Sequence, residues 1–331
     1  MKKVLSVLLL VALMAAFFVG CKEPTDKLRK VQLNEVTRSV FYAPQYIAAS
    51  LGFFEKEGLD VEITTGGGSD KTMTALLAGQ ADIGLMGPET GVYVVNEGKE
   101  DHPIIIGQLT KRDGSFLVSR TPDDDFTWES LEGSTIIGGR RGGMPLMTLE
   151  YVLKQHGLTP GENVEVLDHI QFNLMGGAFE GGEGDFVTLF EPTASQFELE
   201  GKGHIIANIG EASGEVPYTT FMVSQSTLKN DPDLAERFIR AIYKAQQWIV
   251  TATDEEVAKA MQPYFPDSNI EVLTSVAKNY RSTDSWKTDP IMLEEDFQRL
   301  LDIMDEAGEL KAPVEFTDLV NNSIAIKIMS E

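Results

Sequence analysis

Four short turns in the sequence have the composition of strand-to-helix junctions that can bind a small molecule. They are Gly66–Ser69, Gly87–Glu89, Gly139–Gly143 and the less glycine-rich Phe190–Pro192. The first backbone N–H groups of a helix have no partner inside the helix, and glycine lets a ligand approach the backbone closely. Ordinary punctuation between a strand and a helix is the alternative for any single turn, but four of them together predict a small-molecule cleft.

Ten residues in or beside these turns are the candidate ligand contacts. They are Arg38, Tyr42, Gly68, Ser69, Gly87, Glu89, Arg140, Arg141, Gly142 and Glu191. Two adjacent arginines in a glycine loop at a helix start can bind an anionic group through charge and backbone N–H groups together. A solvated basic loop tip is the alternative for this pair. Arg38 follows a predicted strand that should end in the cleft, although it could instead pair with a neighbouring carboxylate.

The chemistry of the ligand stays open between two classes. The arginines and helix N-termini favour a sulfonate, a carboxylate or a phosphate. Tyr42 offers a ring for stacking, and Glu89 or Glu191 can accept from an amine or a ring nitrogen, which favours an aminopyrimidine or a related heteroaromatic. Tyr42 could instead serve packing alone, and Glu191 could merely complement the N-terminus of its own helix.

The sequence contains no motif that predicts catalysis, a metal site or a cofactor. Gly67–Thr72 resembles a phosphate-binding loop, but that motif needs glycine at the position of Asp70, before Lys71. No Gly-x-Gly-x-x-Gly follows a strand, and neither His-Glu-x-x-His nor Gly-x-Ser-x-Gly occurs. The histidines, at positions 102, 156, 169 and 204, are scattered over loops and element ends. We therefore predict a binding protein without catalytic residues, bound metal or cofactor.

The composition is that of a folded and strongly acidic protein. The 331 residues include 51 Asp and Glu against 28 Lys and Arg, which gives a formal net charge of −23. Because a protein that binds nucleic acid neutralises phosphates with basic surface, this charge argues against a nucleic-acid partner. Hydrophobic residues make up 42% of the chain, and the length predicts about two compact units.

The first twenty residues predict export from the cytoplasm. Met1–Lys3 is a short basic segment, and Val4–Val19 is apolar apart from Ser6. A basic end, a short apolar core and a small residue before the cleavage point are typical of a bacterial signal peptide. We assign residues 1–20 to that signal and expect the mature protein to be extracytoplasmic.

Cys21, the only cysteine of the chain, is the predicted point of membrane attachment. Phe18–Cys21 resembles a bacterial lipobox, with Phe18 where leucine is usual, so we expect acylation of Cys21 after cleavage behind Gly20. A plain secretory signal with an incidental cysteine is the alternative. Residues 21–30 are polar and without apolar periodicity, which predicts a tether between the lipid and the folded body.

Behind this tether, short apolar strands alternate with helical patterns, which predicts an α/β protein with mostly parallel sheets. Ser69 or Asp70 is the predicted cap of the helix that follows the first glycine turn. Thr253 with Glu256 predicts a capping box, and a long amphipathic helix is predicted to start at Asp231-Pro232.

Several ordered motifs resemble one protein family. Its members are the NMT1/THI5-like solute-binding lipoproteins of ABC importers for sulfonates, nitrate or thiamine-pyrimidine precursors. The motifs are Tyr42–Ala48, Gly52–Glu62, Ala78–Gly84, Leu131–Gly133, Gly157-Leu158 and Phe190–Pro192. The resemblance implies a type II periplasmic-binding-protein-like fold, whose two lobes close on a small-molecule ligand. It also implies a monomer that delivers this ligand to an ABC permease and its ATPase subunits.

The resemblance further implies that the chain crosses twice between the lobes. Residues 31–108 and 218–331 would form the first lobe and residues 111–215 the second, with hinges near Gln108–Thr110 and Val216–Tyr218. An enzyme of thiamine-precursor synthesis shares the fold and is the alternative function. That enzyme would need a histidine-rich site and iron-binding cysteines and would not need an export signal.

Overall fold

The computed structural model describes residues 27–331, which form two α/β lobes around two five-stranded sheets. The predicted signal peptide and Cys21 lie outside the described residues. Arg29 and Lys30, assigned above to the tether, already belong to the first strand and pair with Leu59 and Asp60. Across residues 27–331, no helix combines the length and the apolar composition that a membrane span requires.

Each sheet combines parallel strands with one antiparallel strand. In the first sheet the order is β2-β1-β3-β10-β4, made of β1 (Arg29–Glu35), β2 (Leu59–Thr65), β3 (Ile83–Met86), β4 (Pro103–Thr110) and β10 (Thr219–Ser224). In the second it is β7-β6-β8-β5-β9, made of β5 (Ser115–Ser119), β6 (Thr135–Ile137), β7 (Glu165–Leu167), β8 (Phe186–Phe190) and β9 (His204–Asn208). Strands β10 and β5 run antiparallel to both of their neighbours. The expectation of mostly parallel sheets is therefore wrong for half of the strand pairs.

Fifteen helices cover the sheets in the described part of the chain. Those up to β9 are α1 (Ala43–Ser50), α2 (Phe53–Lys56), α3 (Ser69–Leu77), α4 (Glu89–Asn96), α5 (Met144–Gln155), α6 (Met175–Glu180) and α7 (Thr193–Leu199). The remainder are α8 (Ile209–Ser213), α9 (Gln225–Asn230), α10 (Pro232–Thr251), α11 (Asp254–Met261), α12 (Ile270–Ser282), α13 (Glu294–Glu306), α14 (Phe316–Leu319) and α15 (Ser323–Met329).

Local signals explain where several helices begin. The predicted capping box is present at α11, where Thr253 accepts from the N–H of Glu256 and Glu256 accepts from that of Thr253. Helix α10 begins at Pro232, as expected of a residue with a helical φ and no N–H to satisfy. The predicted side-chain cap of α3 is wrong, because the helix starts at Ser69 and its N-cap is Gly68.

The chain passes between the sheets in the segments 111–114 and 209–218, and these two segments are hydrogen-bonded to each other. The N–H of Val216 donates to the Lys111 carbonyl at 2.9 Å, and the N–H of Tyr218 donates to the Thr110 carbonyl at 3.3 Å. Lys111 Nζ also lies 2.6 Å from an Asp284 carboxylate oxygen. The predicted lobe limits and hinges stay predictions. The predicted hinge Gln108–Thr110 is the end of β4, directly before the first segment, and the predicted hinge Val216–Tyr218 lies within the second.

An aromatic cluster joins the lobes beneath the cleft. The ring of Phe41 lies within 5.2–5.9 Å, centroid to centroid, of Tyr42, Phe190, Tyr218 and Tyr280. These rings come from both lobes and from the C-terminal helices, and Phe41 is almost completely buried. Tyr42, Phe190 and Tyr218 also line the cavity between the lobes, so the cluster connects the packing between the lobes to the wall of that cavity.

Candidate functional site

A cleft of about 490 Å³ lies between the lobes and gathers most of the predicted contacts. Its lining includes Tyr42, Gly68, Ser69, Gly87, Glu89, Arg140, Arg141 and Gly142. Three helix N-termini meet there, those of α3 and α4 from the first lobe and α5 from the second. The glycine turns identified in the sequence therefore converge on one cavity, and their role in binding a ligand stays a prediction.

The carboxyl group of Glu89 is the most unusual group in this cleft. Glu89 is only 1% exposed, and its Oε2 atom has no hydrogen-bond partner in residues 27–331. Burial raises the pKa of this carboxyl to about 8, and hydrogen bonds from the backbone N–H groups of Glu89 and Met144 offset only part of that effect. The side chain is therefore mostly protonated at neutral pH in the ligand-free protein.

Gly87 makes this position of Glu89 possible. A Cβ atom added at residue 87 would lie 2.0 Å from Oε2 and 2.6 Å from Oε1 of Glu89. Such distances are far below van der Waals contact, so only glycine allows the carboxyl group to fold back over the turn. The predicted site residue Gly87 thus serves to position the Glu89 side chain.

The second wall of the cleft is the loop before α5. Gly142 has a φ of 75°, in the left-handed region that glycine adopts without a steric cost. Its carbonyl accepts a hydrogen bond from the Tyr93 hydroxyl at 3.0 Å, and Arg140 Nη2 lies 3.3 Å from Asp70 Oδ1. Since Tyr93 and Asp70 belong to the first lobe, these contacts hold the lobes together across the mouth of the cleft.

Both loop arginines have carboxylate partners. Arg141, with a side chain 76% exposed, places Nη2 2.5 Å and Nε 3.0 Å from Asp168 Oδ2. Arg140 pairs with Asp70 as described and donates from Nη1 to Gln171 at 3.4 Å. In this structure each guanidinium charge is therefore balanced by a neighbouring carboxylate, and the predicted role of the arginines in binding an anion stays a prediction.

Arg38 is placed outside the lining of the cleft. Its Nε lies 2.8 Å from Oε1 of the fully buried Glu35, and its guanidinium lies 5.4–5.6 Å from the ring centroids of Tyr46 and Tyr264. The alternative considered for Arg38, a neighbouring carboxylate, is the arrangement found.

Glu191 is also outside the lining. Its carboxylate accepts from the Ser195 N–H at 3.0 Å, from the Ser195 hydroxyl at 2.7 Å and from Asn279 Nδ2 at 3.0 Å. Its carbonyl accepts from the Ser39 hydroxyl at 3.2 Å. Glu191 therefore stabilises the start of α7 and links the second lobe to the first and to α12.

The structure adds lining residues that the sequence analysis missed. Four of them are aromatic, namely Tyr93, Phe172, Phe190 and Tyr218, and one is the acidic Glu309. Tyr93 lies four residues after Glu89 in α4, a helical spacing that would have placed both on one face. Glu309 carries no local signal, because it reaches the cleft only through the return of the C-terminal helices to the first lobe.

The donor set of the described chain offers no metal site. No group of three histidine, cysteine, aspartate or glutamate side chains within residues 27–331 could hold an ion. The lining of the cleft is instead mainly apolar and includes five aromatic side chains and a few carboxyl and guanidinium groups, an arrangement suited to holding a small organic molecule.

The chain is similar to known sequences over most of its length. Residues 40–256 match the family model described as NMT1/THI5 like. The chain is 46% identical over 312 residues to a protein of Bacillus subtilis (strain 168) named putative binding protein YtlA, which covers 94% of this chain and 93% of that protein.

Solved structures with low sequence identity share the fold. The nitrate-binding protein NrtA from Synechocystis PCC 6803 superposes with a TM-score of 0.73 at 18% identity, covering 92% of this chain and 89% of NrtA. The alkanesulfonate-binding protein SsuA from Xanthomonas axonopodis pv. citri gives 0.72 at 15%, covering 88% and 98%. The desulfurization enzyme DSZB gives 0.64 at 14%, covering 91% and 99%. The two-lobed periplasmic-binding-protein-like fold inferred from the sequence is confirmed.

Proposed function

The chain belongs to the NMT1/THI5-like family, and from this premise we propose that it is the extracytoplasmic solute-binding protein of an ABC importer. It captures a small molecule between its lobes and delivers the molecule to a membrane permease and its ATPase. The observation that carries this proposal is the cleft formed jointly by both lobes, with helix N-termini on each wall and hydrogen bonds across its mouth. Binding rather than catalysis is proposed because the relative from Bacillus subtilis is named a putative binding protein.

The solute proposed for this cleft is a flat aromatic or heteroaromatic molecule. Aromatic side chains from both lobes line the cavity, and rings of this kind stack on flat ligands. The arginines that would favour a sulfonate or nitrate are paired with Asp70 and Asp168. Of the two ligand classes that the sequence leaves open, the geometry therefore favours the heteroaromatic one.

Ligand binding is expected to close the lobes. A thermal-shift screen of aromatic bases, aromatic acids, sulfonates and nitrate identifies a ligand, since binding at 100 times Kd stabilises a protein by about 2.7 kcal/mol. Small-angle scattering with that ligand should then give a smaller radius of gyration than without it, because the ligand contacts both walls of the cleft only when the lobes are closed.

The variant Tyr93→Phe tests how much the hydrogen bond between the two walls contributes to the closed state. It keeps the ring but removes the hydrogen bond to the Gly142 carbonyl, so its affinity should fall by roughly two- to tenfold. A scattering profile that is unchanged at saturation would contradict the proposed trapping mechanism, and turnover of the bound compound by the purified protein would favour an enzyme.

We further propose that the protein is anchored by a lipid on Cys21. The support is the lone cysteine directly behind a signal-like segment. The variant Cys21→Ser, expressed in a bacterial host, should move the protein from the membrane fraction to the soluble extracytoplasmic fraction. If it remains in the membrane fraction to the same extent as the wild type, the lipid anchor is ruled out.

A further inference from the structure

The charges in the cleft do not balance. Its lining holds three carboxyl groups, of Asp70, Glu89 and Glu309, against the two guanidinium groups of Arg140 and Arg141. Arg140 pairs with Asp70, and Arg141 pairs with Asp168 outside the lining. Within the described residues, neither Glu89 nor Glu309 has a cationic side chain within ion-pair distance. Because Glu89 is mostly protonated in the ligand-free protein, the unmatched charge of the cleft at neutral pH is that of Glu309, and ionisation of Glu89 would add a second negative charge.

Glu89 lies among tyrosine side chains in the lining of the cleft. The phenol rings of Tyr42, Tyr93 and Tyr218 share the cleft with it, and burial raises the pKa of each phenol above its usual range. These neighbours are uncharged near neutral pH and supply an apolar environment. A buried carboxyl oxygen without a hydrogen-bond partner is costly in such an environment, and a ligand that donates to it removes that cost.

The same carboxyl group opposes an anionic ligand. Glu89 is the first residue of α4, and its carboxyl group lies near the N–H of Met144 at the start of α5. Helix N-termini of this kind are the usual anion site. A sulfonate or carboxylate would therefore meet a side chain that competes for the same N–H groups.

We propose that the solute is an aromatic nitrogen base that binds as a cation, with its protonated nitrogen on Glu89 and its ring between the aromatic walls. This inference rests on the proposed function and specifies its substrate class. Glu309, at the rim beside Gly142, adds a second attraction for positive charge. The formal net charge of −23 adds a long-range attraction for cations.

The proposal has a pH dependence whose sign is defined. Free Glu89 has a pKa of about 8, and pairing with a cation favours its ionised form, so binding releases a proton below that pH. Affinity for a permanently protonated ligand should rise about tenfold from pH 6 to pH 7 and level off above pH 8. The other charged groups around the cleft are the ion pairs Arg140–Asp70 and Arg141–Asp168 and the Glu309 carboxylate. Asp113, in contact with Tyr218, has a pKa raised to about 6 by burial.

The test uses three probes of one shape and different charge, 2-naphthamidine, 2-naphthamide and 2-naphthoate. Binding is measured by calorimetry between pH 6 and pH 8 for the wild type and for Glu89→Gln, Glu309→Gln and Asp113→Asn. The exposed Glu162→Gln, remote from the lining, is the matched control. We expect the amidine to bind best of the three probes. Its affinity should fall by about tenfold or more in Glu89→Gln. The pH dependence of its affinity should be lost in Glu89→Gln and kept in Asp113→Asn.

Tighter binding of the naphthoate than of the amidine would overturn the inference, and so would an amidine affinity unaltered in Glu89→Gln. Both results would leave the proposed binding function intact, because closure on any ligand is tested separately by scattering. If none of the three probes binds, the inference fails, whereas the proposed function is decided by the broad ligand screen.

Discussion

Replacing Gly87 by alanine should reduce affinity for an aromatic base by about tenfold or more while leaving the protein folded. The new Cβ would lie 2.0 Å from Glu89 Oε2, so the flexible carboxyl group must rotate away from its position in the cleft. The ligand then loses a hydrogen bond to a charged group, an interaction that contributes about 1.5–3 kcal/mol. Gly87 has no positive φ, so alanine itself fits the backbone.

Calorimetry with 2-naphthamidine measures this affinity, and urea unfolding measures the stability of the same variant. Gly177→Ala is the matched control, because a Cβ there meets nothing within 4 Å and the residue lies inside helix α6. We expect the control to bind normally and to be slightly more stable, by up to about 1 kcal/mol. Wild-type affinity in Gly87→Ala would mean that the position of the Glu89 carboxyl is irrelevant to binding.

Replacing Glu35 by alanine should have the largest effect on stability. Glu35 is fully buried at the end of β1, and its Oε2 accepts from the Tyr46 hydroxyl at 2.6 Å and from Gln45 Nε2 at 2.7 Å. Its Oε1 pairs with Arg38. Alanine would leave two buried donors without an acceptor, at about 1–3 kcal/mol each, so we expect a loss of about 2–5 kcal/mol in the free energy of unfolding.

Urea denaturation of the purified variant measures that loss. Glu62→Ala on the neighbouring strand is the matched control, because Glu62 is exposed and its hydrogen bond with Gln32 is on the surface. The control should change stability by no more than about 0.5 kcal/mol. A Glu35→Ala variant within 1 kcal/mol of the wild type would show that the network around this carboxylate contributes little.

Sequence patterns located most of the elements but not how the strands pair. Apolar runs between turns are a local property of the sequence, and they indicate strands such as His204–Asn208 and Thr219–Ser224. The expectation of mostly parallel sheets misses the antiparallel direction of β5 and β10. The direction of a strand depends on which neighbour it meets after the chain has crossed between lobes, and no local pattern carries that information.

For the candidate site, the sequence by itself determined which turns supply helix N-termini, because glycine, proline and capping residues act within a few positions of the backbone they shape. The family resemblance, and with it the two-lobed fold, also followed from ordered local motifs. Only the tertiary structure decided which side chains are available to a ligand. Arg141 forms an ion pair with Asp168, and Arg38 forms one with Glu35. Glu191 accepts hydrogen bonds from Ser195 and Asn279. Glu89 is left without a cation because charges pair according to distance in the folded chain and not in the sequence.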